Sequence, residues 1–372
     1  MSSGPEPLSL SVRKGVRLSV HRYPPSRPAR DTPVVLVHGL LSSSDIFDVP
    51  GVPEASLARF FQAAGFVTYT FDVRGAGGSI TDTWAFGLRE FAFEDLAGVV
   101  KLALARDEAA RAVLVGHSLG GLAIYLLLAA LSSEDVHEVP GLEAGQIAAV
   151  ATLGSPAGFS PDMEPWRTFA QTGSALFDRL DPNGDGRIER VDWTRSSVTI
   201  PVFDSLTLPA SLVGAAESLA ARSHLVSWLL LILPLRSLLY DQSDFDAATF
   251  ARVLSSRTID RGSLALVREV FDAATGDGKV RVPVASNGEI VLPDHLASLG
   301  GIPLLTVASE DDRLVPEQDV AWIHEYHRGT SLLAGRDLGM TCGHAGYLFK
   351  DGLRESMRVR MLKFINANLS GS

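Results

Sequence analysis

The sequence AVLVGHSLGGLAIYLLLAAL at residues 112–131 predicts a strand, a tight turn and a helix in immediate succession. Residues 112–115 are apolar and include β-branched side chains, as a buried strand does, and residues 119–131 have the length and composition of a helix. Between them, Gly116-His117-Ser118-Leu119-Gly120 fits G-x-S-x-G, a turn that holds its serine strained and exposed above a sheet. The pentapeptide is weak evidence alone, so the flanking strand and helix make Ser118 the candidate nucleophile.

Apolar runs of this kind recur along the chain and alternate with helical stretches. The predicted buried strands are residues 34–37, 67–71, 112–115, 148–153 and 304–308. The predicted helices are residues 54–64, 90–105 and 119–131, followed at the end of the chain by an amphipathic helix at residues 353–369. Residues 8–20 alternate in polarity about Lys14-Gly15, which predicts an opening hairpin. The pattern is typical of an α/β fold with a doubly wound, mostly parallel sheet.

The alternation stops for almost the whole interval between residues 153 and 302, which is too long for a simple connection. The interval is rich in helix-compatible sequence, which predicts a mainly helical cap or lid. We therefore expect a core domain made of residues 1–156 and 302–372, with the cap inserted at residues 157–301.

The composition is that of a folded globular protein. Of the 372 residues, 46% are hydrophobic and 20% are charged, and the formal net charge of −10 argues against a nucleic-acid partner. Cys342 is the single cysteine, so no disulfide can form within a chain. Residues 1–11 contain no apolar run, which makes cytoplasmic the default location. The most apolar stretch, residues 225–239, falls short of the roughly 20 residues of a membrane-spanning helix, so no transmembrane segment is expected.

A serine hydroxyl needs a base to accept its proton, and the base needs a carboxylate to orient it. His344 is the best placed of the nine histidines, because it lies in the glycine-flanked loop Cys342-Gly343-His344-Ala345-Gly346 before the closing helix. The carboxylate is expected just after the strand at residues 304–308, where Asp311 and Asp312 both lie at the carboxyl edge of the sheet. The chain order Ser, Asp, His agrees with a triad built on such a sheet.

The tetrahedral intermediate of acyl transfer needs two amide donors aimed at its oxyanion. Leu119, directly after the nucleophile, would supply one, and Leu40, in the loop that follows the strand at residues 34–37, would supply the other. We expect His38 to support that loop rather than to titrate in catalysis. Leu40, Leu41 and His117 are the predicted substrate contacts.

These pieces resemble the α/β-hydrolase superfamily and, more narrowly, its lipase and esterase branch. The loop His38-Gly39-Leu40-Leu41 is similar to the oxyanion region of acid-lipase-like members, and residues 71–79, FDVRGAGGS, are similar to the D-x-R-G-x-G-x-S turn of the family. Asp312-Arg313-Leu314-Val315-Pro316 matches the acid motif D-x-[IL]-V-P, and the resemblance therefore implies Asp312 as the acid. It implies the α/β-hydrolase fold for residues 1–156 and 302–372.

A second motif lies inside the predicted cap. Residues 181–192, DPNGDGRIERVD, resemble the twelve-residue calcium loops of EF-hand and dockerin-type proteins, with Gly186 at the sharp bend. The predicted ligands are Asp181, Asn183, Asp185, the Arg187 carbonyl, Glu189 and Asp192. A lone loop of this kind indicates a structural calcium ion rather than a sensor.

The sequence thus predicts a serine hydrolase that cleaves carboxylic esters with a hydrophobic acyl group, through an acyl-enzyme on Ser118. One alternative is an acyltransferase or thioesterase that uses the same triad with another acceptor. A second alternative, of a different class, is a non-catalytic binding protein with this fold. Calcium is the only cofactor expected, the substrate is expected to be a small ester or lipid-like molecule, and the oligomeric state is left open.

Overall fold

The computed structural model describes residues 4–25, 30–133, 138–161, 184–188, 244–246, 249–250, 252–253, 256–284, 288–299 and 301–369. The strands of these residues are β1 (Glu6–Arg13), β2 (Val16–Tyr23), β3 (Val34–Val37), β4 (Thr68–Phe71), β5 (Ala112–His117), β6 (Ile147–Leu153), β7 (Arg187–Ile188), β8 (Gly262–Ser263), β9 (Val280–Pro283), β10 (Glu289–Leu292), β11 (Leu304–Ala308) and β12 (Thr330–Leu333). Their helices are α1 (Leu57–Ala63), α2 (Ala97–Arg106), α3 (Leu119–Ser132), α4 (Leu264–Thr275), α5 (Glu317–Ala321), α6 (Ala334–Leu338), α7 (Gly346–Phe349) and α8 (Leu353–Leu369).

The central sheet has eight strands in the order β1-β2-β4-β3-β5-β6-β11-β12. β1 pairs antiparallel with β2, and β2 pairs antiparallel with β4, whereas every neighbouring pair from β4 to β12 is parallel. The predicted mostly parallel sheet with an opening hairpin is therefore confirmed. The register of β3 against β5 sets Val37 opposite Gly116, so the loops after these two strands leave the sheet side by side.

The apolar core lies on both faces of the sheet, and β3 shows why its sequence forms a buried strand. Val35 and Val37 face a cluster that includes residues of α2 and α3, while Val34 and Leu36 face a second cluster that includes residues of α1 and α8. All four side chains are fully buried. Alternate side chains of a strand point to opposite faces, so a run of four apolar residues fits a strand covered on both sides.

Two predicted helices differ in detail from the structure. The stretch predicted at residues 54–64 is a 3₁₀ turn, Pro53–Ala55, followed by α1, because Ser56 is extended and its hydroxyl caps α1 by accepting from the Arg59 amide. The stretch predicted at residues 90–105 begins as a π-helix, Glu90–Leu96, before it continues as α2. The closing helix α8 has the predicted bounds.

The long insertion between β6 and β11 is described only in part. Its described residues contain α4, the antiparallel pairs β7–β8 and β9–β10, and a 3₁₀ helix at Asp294–Leu299. Val282, Ile290 and Leu292 are buried in the same apolar cluster as α3, so this part of the insertion packs on the core. The domain boundary at residues 157–301 stays a prediction, and the apolar stretch 225–239 lies outside the described residues. Within the described stretches, no helix has the length and hydropathy to cross a bilayer.

Candidate active site

The turn after β5 holds Ser118 in a strained backbone conformation. Its φ and ψ are 57° and −129°, a region that residues with a side chain rarely occupy. A Cβ at Gly116 would lie 2.5 Å from the amide nitrogen of Gly121, and a Cβ at Gly120 would lie 2.1 Å from the carbonyl oxygen of Val37. Glycine is therefore needed where α3 approaches the strands, and the partly exposed Ser118 stands at the carboxyl end of β5.

The side chains of His344 and Asp312 form a buried pair. His344 Nδ1 donates to Asp312 Oδ2 over 2.9 Å, and the two side chains are 5% and 0% exposed. The other carboxylate oxygen, Oδ1, accepts from the amides of Leu314 and Val315 at 3.1 and 3.0 Å. The carboxylate is thus fixed by three donors, and it holds the imidazole in the tautomer whose Nε2 carries a free lone pair.

The structure distinguishes the two aspartates that the sequence left as candidates for the triad. Asp311 is exposed and accepts from the Thr341 hydroxyl, whereas Asp312 is buried and bonded to His344. Tyr347, on α7, adds a further hydrogen bond of 3.2 Å from its hydroxyl to Asp312 Oδ2. Its phenol stays protonated as the donor, because burial and the neighbouring carboxylate raise its pKa well above the usual value.

His344 Nε2 is buried, and within the described part of the chain it has no hydrogen-bond partner. The hydrogen bond from Ser118 Oγ to this nitrogen is therefore not made in this conformation. Active sites without substrate often hold such contacts long or misaligned, and they tighten when substrate binds. The structure does bring Asp312 and His344 together. It also joins the main chain of His344 to the nucleophile turn through His117.

His117, the residue before the nucleophile, binds the main chain of the base. Its Nε2 donates to the carbonyl oxygen of His344 over 2.9 Å, and the two rings lie 5.0 Å apart between centroids. Burial, together with the neighbouring His344, lowers the pKa of His117 to about 3, so its ring is neutral at ordinary pH. The ring is only 3% exposed, and its substrate contact stays a prediction.

The loop after β3 runs directly beside the nucleophile. A Cβ at Gly39 would lie 2.9 Å from the Cβ of Ser118, so only glycine allows this approach. His38 fixes the loop, since its Nδ1 donates to the Gly39 carbonyl over 2.9 Å and its Nε2 accepts from the Val73 amide at 3.1 Å. Burial lowers the pKa of His38, and a neutral ring that uses both nitrogens in this way supports the loop, as the sequence suggested.

A segment of the insertion, residues 256–260, is hydrogen-bonded along this loop. The hydroxyls of Ser42 and Ser43 donate to the carbonyls of Thr258 and Arg257 over 2.8 and 2.6 Å. Asp260 donates its amide to the Leu41 carbonyl over 2.9 Å and accepts from the Gly77 amide at 2.6 Å. Leu41 has a positive φ of 51°, and such strain persists only where neighbours enforce it. The segment thus fixes the loop that contains the predicted oxyanion donor Leu40.

The turn after β4 joins the same network. Asp72 accepts from the amides of Ser44 and Gly78, both at 2.8 Å, and so links this turn to the loop after β3. Arg74 is fully buried and donates to the buried carboxylate of Asp95 at distances from 2.7 to 3.1 Å. The D-x-R-G motif of the sequence is thus a scaffold for the loop beside Ser118.

Four residues that the sequence analysis did not single out help to build the site: Tyr347, Ser309, Asp244 and Asp260. Each acts through a buried polar group: Tyr347 donates to Asp312, Ser309 and Asp244 accept from the amides of Cys342 and Gly343, and Asp260 accepts from the Gly77 amide. Neither periodicity nor local spacing marks such a residue, because an isolated polar side chain has the sequence pattern of a solvated surface residue. Only the fold identifies them.

Leu40 and Leu41 are both partly buried, and Leu41 packs on the buried Leu264, as do Val267 and Phe271. Leu119 is buried in the first turn of α3. The oxyanion and substrate roles of these leucines stay predictions.

The predicted calcium loop is described only at residues 184–188. Gly186 has a φ of 78°, Asp185 accepts from the Arg187 amide at 2.9 Å, and β7 pairs with β8. The other predicted ligands lie outside the described residues, namely Asp181, Asn183, Glu189 and Asp192. Within the described ranges, no group of three or more histidine, cysteine or acidic side chains could hold a metal ion.

Comparison with solved structures gives relatives that match along nearly the whole chain. A proposed aryl esterase from Burkholderia cenocepacia has a TM-score of 0.55 and 19% identity, and the match covers 98% of this chain and 100% of that one. An esterase from Thermogutta terrifontis has a TM-score of 0.53 and 15% identity, with 98% and 99% covered. The enol-lactonase from Burkholderia xenovorans LB400 has a TM-score of 0.55 and 13% identity, with 96% and 99% covered. At these identities the likeness is one of fold.

A search of curated proteins found no match. A family model described as alpha/beta hydrolase fold matches residues 32–325. The matched region contains Ser118 and Asp312 and ends before His344. With the sheet order and the nucleophile turn described above, the match shows that the chain belongs to the α/β hydrolase fold family.

Proposed function

We propose that the protein hydrolyses carboxylic esters through a covalent acyl-enzyme on Ser118. The Oγ atom of Ser118 attacks the carbonyl carbon and its proton passes to Nε2 of His344. The proton then goes to the alcohol oxygen as the ester C–O bond breaks. Water then attacks the carbonyl carbon of the acyl-enzyme and gives a proton to His344. The bond between this carbon and Ser118 Oγ breaks, the proton returns from His344 to Oγ, and the carboxylic acid is released.

The Asp312–His344 pair is the observation that carries this proposal. A serine on a strained strand-to-helix turn is typical of a catalytic nucleophile. Such a serine needs a base with a free lone pair to accept its proton. Asp312 holds Nδ1 of His344 at 2.9 Å, which leaves Nε2 as the basic nitrogen. The buried carboxylate would stabilise the imidazolium that forms during attack. Membership of the α/β hydrolase fold family supports hydrolase chemistry in general.

The two histidines beside the proposed base are neutral at ordinary pH. His117 and His38 are buried and both have lowered pKa values, so neither ring competes for the proton at neutral pH. A neutral His117 beside His344 also avoids the repulsion that a second imidazolium would exert on the protonated base. The predicted amides of Leu40 and Leu119 would hold the oxyanion.

The proposed substrate class is an ester with an apolar acyl part. Leu40 and Leu41 belong to the loop beside Ser118, and Leu41 continues into an apolar cluster with Leu264 and Phe271. Apolar side chains next to the nucleophile favour hydrophobic substrates over charged ones. The named relatives include esterases and an enol-lactonase, whose reactions also open an ester bond.

A panel of nitrophenyl esters of increasing acyl length tests the proposal. We expect wild type to hydrolyse them with a preference for apolar acyl groups, and Ser118→Ala to lose at least about 10³-fold in kcat. Ser356→Ala is the matched control, because Ser356 is exposed on α8. Equal rates for wild type and Ser118→Ala would defeat the assignment. Added alcohol separates hydrolysis from acyl transfer, since a transferase would yield mainly the new ester.

A further inference from the structure

The loop that carries the base, residues 341–346, has its main chain bound by side chains from several parts of the fold. Lys350 Nζ donates to the Thr341 carbonyl over 2.6 Å. Ser309 Oγ accepts from the Cys342 amide at 2.8 Å and donates to the Cys342 carbonyl over 2.7 Å. His117 binds the His344 carbonyl, so the main chain at Thr341, Cys342 and His344 is fixed by hydrogen bonds from side chains rather than by regular secondary structure. The position of the imidazole therefore depends on these side chains.

Asp244 is the member of this set that comes from the insertion. Its carboxylate accepts from the Gly343 amide, at 3.0 Å from Oδ2 and 3.3 Å from Oδ1. The acceptor and donor are 99 residues apart in sequence, and the Asp244 side chain is 0% exposed. The Gly343 amide belongs to the Cys342–Gly343 peptide group, one residue before His344, so this carboxylate holds the main chain directly before the base.

The surroundings of Asp244 are built to admit a carboxylate. A Cβ at Gly346 would lie 2.6 Å from the Asp244 carboxyl carbon, so glycine at that position makes the room. Lys350 Nζ lies 3.7 Å from Oδ1 and offsets the buried charge. The next residue, Phe245, packs on Phe349 of α7 with ring centroids 5.0 Å apart. The position of the carboxylate is thus set both by the packing of its own segment and by its contacts with the base loop.

We propose that Asp244 is a positioning residue that orients His344 for proton transfer, an inference that rests on the proposed function. Gly343 has no side chain to restrict its backbone, so the direction in which the chain enters His344 depends on contacts to the Gly343 main chain. Asp244 accepts from the Gly343 amide, and the Gly346 amide donates to the Gly343 carbonyl over 3.0 Å. Asp312 holds only Nδ1, and the imidazole can rotate about that contact if the peptide turns. Asp244 and His117 hold the amide of Gly343 and the carbonyl of His344, and together they aim Nε2.

This assignment gives the insertion a part in the chemistry. Asp244 lies in the insertion between β6 and β11, as does Asp260, whose amide donates to the Leu41 carbonyl in the loop beside Ser118. The returning segment of the insertion therefore contacts both loops that flank the nucleophile. Asp244 and residues 256–260 thus belong to the fixed frame of the proposed active site.

The test compares Asp244→Ala, Asp244→Asn and the control Asp246→Ala on a nitrophenyl ester. Asp246 is exposed two residues away and caps its own segment by accepting from the Thr249 amide at 2.9 Å. We expect Asp244→Ala to lower kcat about 100-fold with KM changed less than about threefold, because misplacement of a base slows proton transfer without removing substrate contacts. Asp244→Asn keeps an acceptor for the Gly343 amide and should restore most of kcat.

Stability is measured in parallel by thermal melting. Asp246→Ala should keep wild-type kcat even where its melting temperature falls, which separates positioning from general destabilisation. If Asp244→Ala does not fold, Asp244→Ser replaces it, since the shorter hydroxyl cannot reach the Gly343 amide. Unchanged kcat in the folded Ala or Ser variant, or equal losses in the Asn and Ala variants, would overturn the proposal. If wild type itself does not hydrolyse the ester and Ser118 is not labelled by a fluorophosphonate, the proposed function would be overturned instead.

Discussion

The side chain of His117 and the main chain of His344 are joined by a hydrogen bond of 2.9 Å between Nε2 and the carbonyl oxygen. The bond links the nucleophile turn after β5 to the base loop before α7, although 227 residues separate the two in sequence. Because Ser118 follows His117 directly, any movement of the base relative to the nucleophile must stretch this bond. It connects the two halves of the proposed catalytic machinery directly.

Removal of the His117 donor should therefore slow catalysis. His117→Phe keeps an aromatic ring in the buried space but cannot donate to the His344 carbonyl. We expect kcat on a nitrophenyl ester to fall about tenfold or more with KM little changed, since the base loses one of its orienting contacts. His21→Phe, on β2 away from the site, is the control. Wild-type kcat in a folded His117→Phe protein would show that the bond has no part in orientation.

His117 should also make stability depend on pH. Its pKa is about 3 in the folded protein and near 6.5 when exposed, so between these values the unfolded chain binds more protons. The free energy of unfolding should therefore fall as the pH drops from 6.5 towards 3, and His38, whose pKa is also lowered, acts in the same direction. Urea unfolding at several pH values measures the slope. His117→Phe should have a shallower slope than wild type, and equal slopes would contradict the assignment.

The close approach of the loop after β3 to the nucleophile can be tested at Gly39. A Cβ there would lie 2.9 Å from the Cβ of Ser118, so Gly39→Ala must displace the serine or the loop that contains Leu40. We expect kcat/KM to fall on the order of 100-fold, as when an oxyanion donor is lost. Gly145→Ala is a matched control, because a Cβ at Gly145 meets nothing within 4 Å. Normal activity in Gly39→Ala would exclude this loop from the oxyanion site.

The buried pair of Arg74 and Asp95 should contribute to stability. Both side chains are 0% exposed, so Asp95→Ala leaves a buried guanidinium without its main counterion. We expect a loss of about 3–5 kcal/mol in the free energy of unfolding, measured with denaturant. The control is Asp82→Ala, which breaks an exposed pair with Arg13 and should change stability little. Similar losses in the two variants would refute the argument.

Calcium binding by residues 181–192 stays a prediction from the sequence. If the loop binds calcium, the melting temperature should rise with added Ca²⁺ and fall with chelator, because a ligand that binds only the folded state stabilises it. Asp185→Ala, which removes a predicted ligand, should abolish the difference. Identical melting curves with chelator and with calcium would contradict calcium binding by this loop.

The sequence predicted those features of the fold that depend on local pattern. Apolar, β-branched runs located the buried strands β3, β4, β5, β6 and β11, and period-2 alternation located the hairpin of β1 and β2. The bounds of α8 were predicted to the residue. Residues 90–105 were predicted as one helix, but the chain begins there as a π-helix, a distinction that apolar periodicity does not make. The hydrogen bond between Asp312 and His344 agrees with the acid motif that favoured Asp312 over Asp311.

The contacts that orient the site could not be predicted in this way. Asp244 and Asp260 lie in a long insertion, and nothing in their neighbouring residues shows that each accepts from a backbone amide of a distant loop. His117 was expected to contact substrate, and its bond to the His344 carbonyl becomes visible only when the two loops are brought together by the sheet. Long-range polar contacts of this kind are properties of the tertiary structure.

The central claim is that Ser118 is a nucleophile activated by His344, and covalent labelling tests it most directly. Intact protein is treated with a fluorophosphonate, and the labelled site is located by peptide mass spectrometry. The account predicts one label per chain, on Ser118, formed much more slowly in His344→Ala and absent in Ser118→Ala. A folded wild-type protein that takes no label, or that is labelled at another serine at the same rate in all three proteins, would contradict it.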